Sequence, residues 1–530
     1  MKTVQITIEN GKSFTAEAGK RLTDALEESG VYLPAPCGGV GKCGKCGITV
    51  AAGKLPVTEM DRHFFNAGEL ARGHRLACAA RVEDDLVIRL PDFGEEHFDA
   101  LAGNGRPGVL SEKSSVCIAV DIGTTTLAAA LIESTSGELT AAVTGVNHQR
   151  AFGADVVSRI AAASGGKGGM LQQSIRGDLN VLIGRLLSEG GCLPEQVERV
   201  AVSANTTMGH LLMGYPCEGL GAYPFTPWDI GAVTEDARAV FGVETALNCP
   251  VTLLPGISAY VGGDIAAGLL ACGFYERQRP ALFVDLGTNG EMAVGNRERI
   301  LVASAAAGPA FEGGNISCGT GSIPGAICNV QIKGGAAQIS TIGNAPAIGL
   351  CGTGVIETAR ELLASGRMDE SGLLDETYEK NGFPLALTSE GRTLFFTQRD
   401  VRELQMAKAA VRAGVETLLL RYGISCDEVE KVYVAGGFGF HLDMEKAVDI
   451  GLLPGKLRGR VKAAGNTSLR GAAYYLTKTA APEQISGLIR VCSEVGLAMD
   501  PNFNELYMEH MMFDSEVRAQ NFESGSRRVQ

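Results

Sequence analysis

Two short runs carry the residue types that handle phosphate and divalent cations. They are Val120-Asp121-Ile122-Gly123-Thr124-Thr125-Thr126 and Val284-Asp285-Leu286-Gly287-Thr288-Asn289-Gly290. Each follows an apolar β-type run (Val116–Val120; Ala281–Val284), ends in a tight glycine-threonine turn, and gives way to alternating apolar strands (Thr126–Ile132 and Leu139–Val146; Glu291–Val294 and Ile300–Ser304). Such a turn presents backbone N–H groups and hydroxyls to phosphate oxygens and places the carboxylate for Mg²⁺. Either run alone could be an ordinary strand-to-turn junction. Two copies point to a duplicated nucleotide fold that grips a triphosphate from both sides. Val429–Ala435 reads as a buried strand running into Gly436-Gly437-Phe438-Gly439, where absent side chains let a ribose or base lie on the backbone.

Four of the 14 cysteines form a second pattern: Cys37-x5-Cys43-x2-Cys46 in a glycine-rich loop, with Cys78 further on. Three thiolates on one such loop can wrap an iron pair, because glycine permits positive φ and lets N–H groups point at the sulfurs; a distant fourth cysteine closes the shell. The spacing resembles a [2Fe–2S] ferredoxin, nearer the vertebrate adrenodoxin-like pattern than the plant C-x4-C-x2-C. A zinc site is the alternative, but zinc usually takes paired Cys-x2-Cys knuckles and this loop has one. The other cysteines lack ligand spacing and read as small buried apolar residues.

The elements that must position these groups follow from periodicity. Thr3–Ile8 and Lys12–Ala16 form a hairpin about Asn10-Gly11, Leu22–Glu28 a short helix, and Ile48–Val50 and Leu86–Leu90 further strands, a β-grasp order. The expected division is a ferredoxin-like domain over 1–92, a linker over 93–115, an ATPase first half over 116–278, a second half over 279–513 and a polar tail over 514–530. Helices are expected over Met170–Leu187, Ile257–Leu270 (carrying Gly262-Gly263-Asp264), Ile348–Leu363, Val401–Leu420 and Leu469–Leu476, and further strands over Val197–Ser203 and Thr252–Pro255. Ala305–Ile316, with Phe311 and Glu312, is either a surface loop or the approach to a bound ligand.

The apolar fraction of 45% is ample for buried cores, and the net charge of −13 without a dense Lys/Arg stripe argues against nucleic-acid or anionic-membrane partners. Met1–Asn10 lacks a signal-peptide core and the apolar run Cys117–Ile132 is broken by Asp121, so a cytoplasmic location is expected.

The fold class these features imply is α/β: an N-terminal β-grasp [2Fe–2S] domain followed by a duplicated RNase H-like ATPase. The paired turns and the adenosine motif resemble the superfamily of actin, sugar kinases and Hsp70. Together with Asn205-Thr206-Thr207-Met208 and Ala307-Gly308-Pro309-Ala310-Phe311-Glu312-Gly313, the order of parts resembles the reductive activators of corrinoid proteins across nearly the whole chain. That resemblance implies an ATPase that passes one electron from a [2Fe–2S] cluster to a cobalamin protein whose cobalt has slipped to inactive Co(II), restoring Co(I). The implied partners are a corrinoid protein and a low-potential electron donor, with a homodimer as a further expectation. Cys37, Cys43, Cys46 and Cys78 would hold the cluster. Asp121 and Asp285 would be catalytic, ordering Mg²⁺ and the attacking water. Gly123, Thr124, Thr125, Thr126, Gly287, Thr288 and Asn289 would meet the phosphates of ATP, and Gly436 and Gly437 its adenosine. Asp264 and Glu291 are secondary candidates, weighed against solvated turn carboxylates. Two rivals remain: a small-molecule kinase with a redox-sensing ferredoxin part, and an electron donor of the radical-dehydratase type.

Overall fold

The structure is a computed structural model that describes residues 2–9, 12–29, 31, 33, 46–90, 115–436 and 443–514. Cys37, Cys43, Gly437, the Asn10-Gly11 turn, the linker before residue 115 and the tail after Asp514 lie outside the described residues.

At the N-terminus, Thr3–Ile8 (β1) pairs antiparallel with Ser13–Glu17 (β2), and the helix Leu22–Glu28 follows. Gly47–Gly53 (β3), His74–Leu76 (β4) and Leu86–Arg89 (β5) complete a sheet in the order β2-β1-β5-β3-β4, with β1 parallel to β5. Val4, Ile6, Leu22, Leu26, Ile48 and Ile88 close its small core. This is the β-grasp order read from the sequence.

The body contains two six-stranded sheets. The first takes Val116–Ile122 (β6), Thr126–Glu133 (β7), Leu139–Val146 (β8), Val197–Ala204 (β9), Val233–Asp236 (β10) and Pro250–Leu253 (β11), in the order β10-β11-β9-β6-β7-β8. Along the chain then come Ala281–Leu286 (β12), Gly290–Gly295 (β13) and Ile300–Ala305 (β14). Two small accessory sheets follow, one of Ala326–Lys333 (β15), Ala336–Thr341 (β16) and Gly349–Leu350 (β17), the other of Phe383–Leu387 (β18) and Thr393–Phe396 (β19). Val432–Ala435 (β20), Val461–Gly465 (β21) and Cys492–Glu494 (β22) then complete the second large sheet, β21-β20-β12-β13-β14-β22. In both large sheets an antiparallel meander of three strands is followed by strands added parallel to its first member, β9 to β6 and β20 to β12. β6 and β12 are apolar on both faces because layers cover both, and each run of buried residues breaks only at its aspartate.

Two helices join the halves. Gly263–Ala271 and Thr467–Thr477 cross so closely that a Cβ on Gly471 would stand 2.1 Å from the Ala267 carbonyl oxygen, and one on Gly268 would stand 2.7 Å from the Phe283 ring. Alanine and glycine at the crossing permit this approach.

Several boundaries differ from the sequence reading. The helix expected from Ile257 begins at Gly263, because Ile257–Val261 closes a turn in which the Val261 N–H donates to the Ser258 hydroxyl and the Ile257 N–H to the Val261 carbonyl, and Gly262 lies against the backbone of Asn205. The helix expected from Ile348 begins at Gly352, since Gly349 and Leu350 pair with Ala326 and Ile327. Val429–Lys431 precedes β20 rather than belonging to it; Cys426–Glu428 is a 3₁₀ turn that leads into it. Ala305–Ile316 is no surface loop: Phe311 is fully buried and Pro309–Glu312 forms a 3₁₀ turn. Of the cysteines without ligand spacing, Cys117, Cys192, Cys217, Cys249, Cys272 and Cys351 are buried.

Candidate nucleotide cleft and cluster site

Asp121 and Asp285 occupy equivalent places, next to last on β6 and β12, and their turns face one another through Glu312. The carboxylate Oε2 of Glu312 accepts from the Thr288 hydroxyl at 2.9 Å and from the Thr125 hydroxyl at 3.4 Å, so one side chain of the glycine-rich segment ties both turns. The glycines are required by the close backbone approach. A Cβ at Gly123 would stand 2.7 Å from the Thr126 carbonyl oxygen, and Gly436, at φ +120°, would bring one to 2.4 Å from that of Leu286.

The first turn is held by Asn147 and Arg159, which the sequence reading did not single out, and by Asn205, which it did. Asn147 donates to the Gly123 carbonyl at 2.9 Å, and the fully buried Arg159 donates to the Thr124 carbonyl at 2.6 Å and to that of Gly153 at 3.0 Å. Asn205, the cap of the helix Thr206–Met213, donates to the Thr124 hydroxyl at 3.1 Å. This gives the Asn205-Thr206-Thr207-Met208 run its place in the site. Asp121 is held from the other half of the molecule. Its two oxygens accept from Asn466 at 2.8 Å and from the Ser468 hydroxyl at 2.6 Å, both at the start of the second connecting helix. No local pattern links positions so far apart in sequence.

The cleft is rich in carboxylates, each only part-exposed. Burial pushes Asp285 up to about 8, helped by the negative charges of Asp264, Asp121 and Glu312. Burial, with Asp121 nearby, takes Asp264 to about 7 against the opposing Ile265 N–H, and burial with Asp264 and Asp285 raises Glu291 well above the usual carboxylate range. Asp121 and Glu312 are raised by burial too, but hydrogen bonds from Ser468 and Asn466, and from Thr288 and Thr125, oppose this. Asp264 stands in the first turn of the helix Gly263–Ala271 and Glu291 on β13 opposite Asp285, both part-exposed. Like charges crowded without a counter-cation raise one another's proton affinity, and a cationic ligand would reverse that. Among the described residues no three His, Cys, Asp or Glu side chains form a ready cage for a metal ion.

At the other site, Cys46 and Cys78 are both buried. β3 and β4 bring them together: Gly47 pairs with Leu76, and the Ala77 N–H donates to the Cys46 carbonyl at 3.0 Å. Asp61, fully buried, fixes this edge. It accepts from the Leu76 N–H at 2.6 Å while its other oxygen closes the cap of the helix Glu59–Phe64 through Thr58.

Comparison with known proteins agrees part by part. Residues 6–83 match the 2Fe-2S iron-sulfur cluster binding domain, residues 116–277 the RACo middle region, and residues 279–524 the C-terminal domain of RACo, the ASKHA domain. The corrinoid activation enzyme RamQ of Eubacterium limosum is 33% identical over 94% of this chain and 96% of its own. This chain belongs to the corrinoid-activator family. A second relative, the [Co(II) methylated amine-specific corrinoid protein] reductase of Methanosarcina barkeri, is 30% identical over 59% of this chain and 62% of its own. The solved reductive activator for corrinoid, iron-sulfur protein superposes with a TM-score of 0.70 at 26% identity, covering 96% of this chain and 98% of that one. Among the described residues no helix is long and apolar enough to cross a membrane.

Proposed function

We propose that this chain is an ATP-dependent reductive activator of a corrinoid protein, returning Co(II) cobalamin to Co(I) by a one-electron transfer. The observation that carries the reading is the pairing of a [2Fe–2S]-type domain with two equivalent Asp-x-Gly-Thr turns whose threonines, Thr125 and Thr288, both donate to Glu312. When bound by Cys37, Cys43, Cys46 and Cys78, the cluster would supply single electrons; even a plant-type cluster lies only near −400 mV. The cobalt couple lies lower, and each 59 mV of deficit costs about tenfold in a one-electron equilibrium, so nucleotide energy must enter. A low-potential donor would refill the cluster.

The chain's own residues have separable tasks on this reading. Thr124, Thr125, Thr126, Thr288 and Asn289 receive phosphate oxygens, and Gly123, Gly287, Gly436 and Gly437 keep the backbone open to the nucleotide. Asp121 and Asp285 would hold Mg²⁺ and orient the attacking water, and Asp264, at the head of the first connecting helix, would take that water's proton. Because Asn466 and Ser468 reach Asp121 from the second connecting helix, nucleotide at Asp121 biases how the two halves close. Closure favours the partner complex in which cobalt is easier to reduce, and hydrolysis releases it.

The test is partner-dependent turnover. ATP hydrolysis should be slow alone, accelerate with a Co(II) corrinoid protein, and stay slow with its methyl-Co(III) form; equal rates in all three conditions would favour the kinase alternative.

A further inference from the structure

The carbonyl groups of the first phosphate turn are all taken from within the protein. Asn147 Nδ2 donates to that of Gly123 at 2.9 Å, Arg159 Nη2 to that of Thr124 at 2.6 Å, the Asn147 N–H to that of Thr125 at 2.9 Å and the Gly123 N–H to that of Thr126 at 3.0 Å. Among the described residues nothing accepts from the N–H groups of Thr124 and Thr125.

The two side chains stand on one side of the turn. Asn147 Nδ2 lies 3.6 Å and Arg159 Nη1 3.2 Å from the same thioether, Met208 Sδ. The Gly123–Thr124 and Thr124–Thr125 peptides are trans, so each N–H points opposite to the carbonyl of its own peptide. With both carbonyls drawn toward the Met208 side, the N–H groups of Thr124 and Thr125 face the other way. Adjacent N–H groups turned to one side form a nest for an anionic oxygen.

Neither side chain is free to turn. Asn147 and Arg159 are fully buried. Asn147 Oδ1 accepts from the Gln149 N–H at 3.0 Å, which fixes the end of the amide that meets Gly123. Arg159 Nε donates to the Gly153 carbonyl at 3.0 Å, and Asp155 caps the helix Val156–Ala162 that carries it. The partners of the guanidinium are two carbonyls and a thioether, none of them charged. Burial brings it down to about 9, so it stays protonated at neutral pH. A buried cation without a carboxylate on it is costly, and such a cost persists where the charge is used. A cation on a carbonyl also polarises that peptide and strengthens its N–H as a donor.

We propose that Arg159, with Asn147 beside it, is a positioning residue for the nucleotide: it holds and polarises the first phosphate turn so that the Thr124 and Thr125 N–H groups receive the β- and γ-phosphates of ATP. The assignment deepens the function proposed above and rests on it only for the ligand. Arg159 acts through a peptide group and does not touch phosphate. It serves affinity for the outer phosphates and not for the adenosine.

The test compares MgADP with AMP by calorimetry, on the full-length protein with its cluster intact. Arg159→Met, which keeps the length and removes the charge, should weaken MgADP about a hundredfold and leave AMP near its wild-type affinity. Arg159→Lys keeps a cation that can reach the Thr124 carbonyl, and it should recover about tenfold of that loss. Asn147→Ala releases the Gly123 carbonyl alone and should weaken MgADP about tenfold. Equal losses for MgADP and AMP would give these residues a purely structural part and overturn the proposal. So would wild-type MgADP affinity in Arg159→Met, or no recovery in Arg159→Lys. Should Arg159→Met fail to fold, Arg159→Lys and Asn147→Ala decide by the same ratio of MgADP to AMP affinity. The titrations contain no corrinoid protein, so a failure to restore Co(I) would strike the proposed function and leave this assignment standing.

Discussion

At the residue scale, the cleft carboxylates set activity against stability. Asp285 is raised to about 8 in the folded chain and stands near 3.8 when unfolded. The folded state therefore binds more protons between those values, and this contribution to stability, present at acid pH, is lost as pH rises through about 8. Asp285→Asn removes an ionisable group from a site crowded with other carboxylates. In EDTA and without nucleotide, thermal unfolding at pH 8 to 9 should occur at higher temperature in this variant than in wild type, and the difference should shrink toward pH 5. ATP hydrolysis should fall on the order of a hundredfold or more in Asp285→Asn and Asp121→Ala, with cluster absorption intact. Asp61 makes the corresponding case at the cluster edge. Replacing it with alanine leaves the Leu76 N–H and the Thr58 cap without their acceptor, at a cost of about 1–3 kcal/mol. Visible absorption should then decay faster on exposure to air or chelator, while ATP hydrolysis stays at the wild-type rate.

At the element scale, the crossing of Gly263–Ala271 and Thr467–Thr477 holds the halves together. Gly471→Ala would drive a methyl group into the Ala267 carbonyl, which is backbone and cannot rotate away. The helices must separate, costing about 1–3 kcal/mol and moving Ser468 off Asp121. Calorimetry should show lower stability, and nucleotide titration weaker ATP affinity; an unchanged ATP affinity would argue that this crossing does not govern the cleft. Elements of this kind divide sharply in how legible they are in the sequence. Leu139–Val146 and Leu22–Glu28 were readable to the residue because their apolar periodicity is uninterrupted. The starts at Ile257 and Ile348 were overrun, because what ends the helix there is a distant partner: Asn205 against Gly262, and β15 beside Leu350. The same holds for the site. Both Asp-x-Gly-Thr turns announce themselves locally, whereas Asn147, Arg159, Asn466 and Ser468 act through contacts that no spacing reveals. Only glycine-rich flanks hinted at Glu312.

At the scale of the whole molecule, the account joins an electron source and a nucleotide engine on one chain. The N-terminal sheet pairs the backbone beside Cys46 with that beside Cys78, and the first strand of each larger meander ends at its aspartate, Asp121 or Asp285. Neither part alone explains the other: a ferredoxin needs no ATP, and a kinase needs no iron. On the proposed reading, selecting the Co(II) partner before turnover would prevent idle hydrolysis, which is why differential affinity for that state is central to the proposal. The most direct measurement follows the Co(I) absorption of a corrinoid protein supplied as Co(II), with the wild-type chain, a low-potential reductant, and ATP added last. Co(I) should accumulate only after ATP is added, and it should fail to form with either Asp285→Asn or Cys46→Ala. Equal accumulation without ATP, or with Cys46→Ala, would contradict the account.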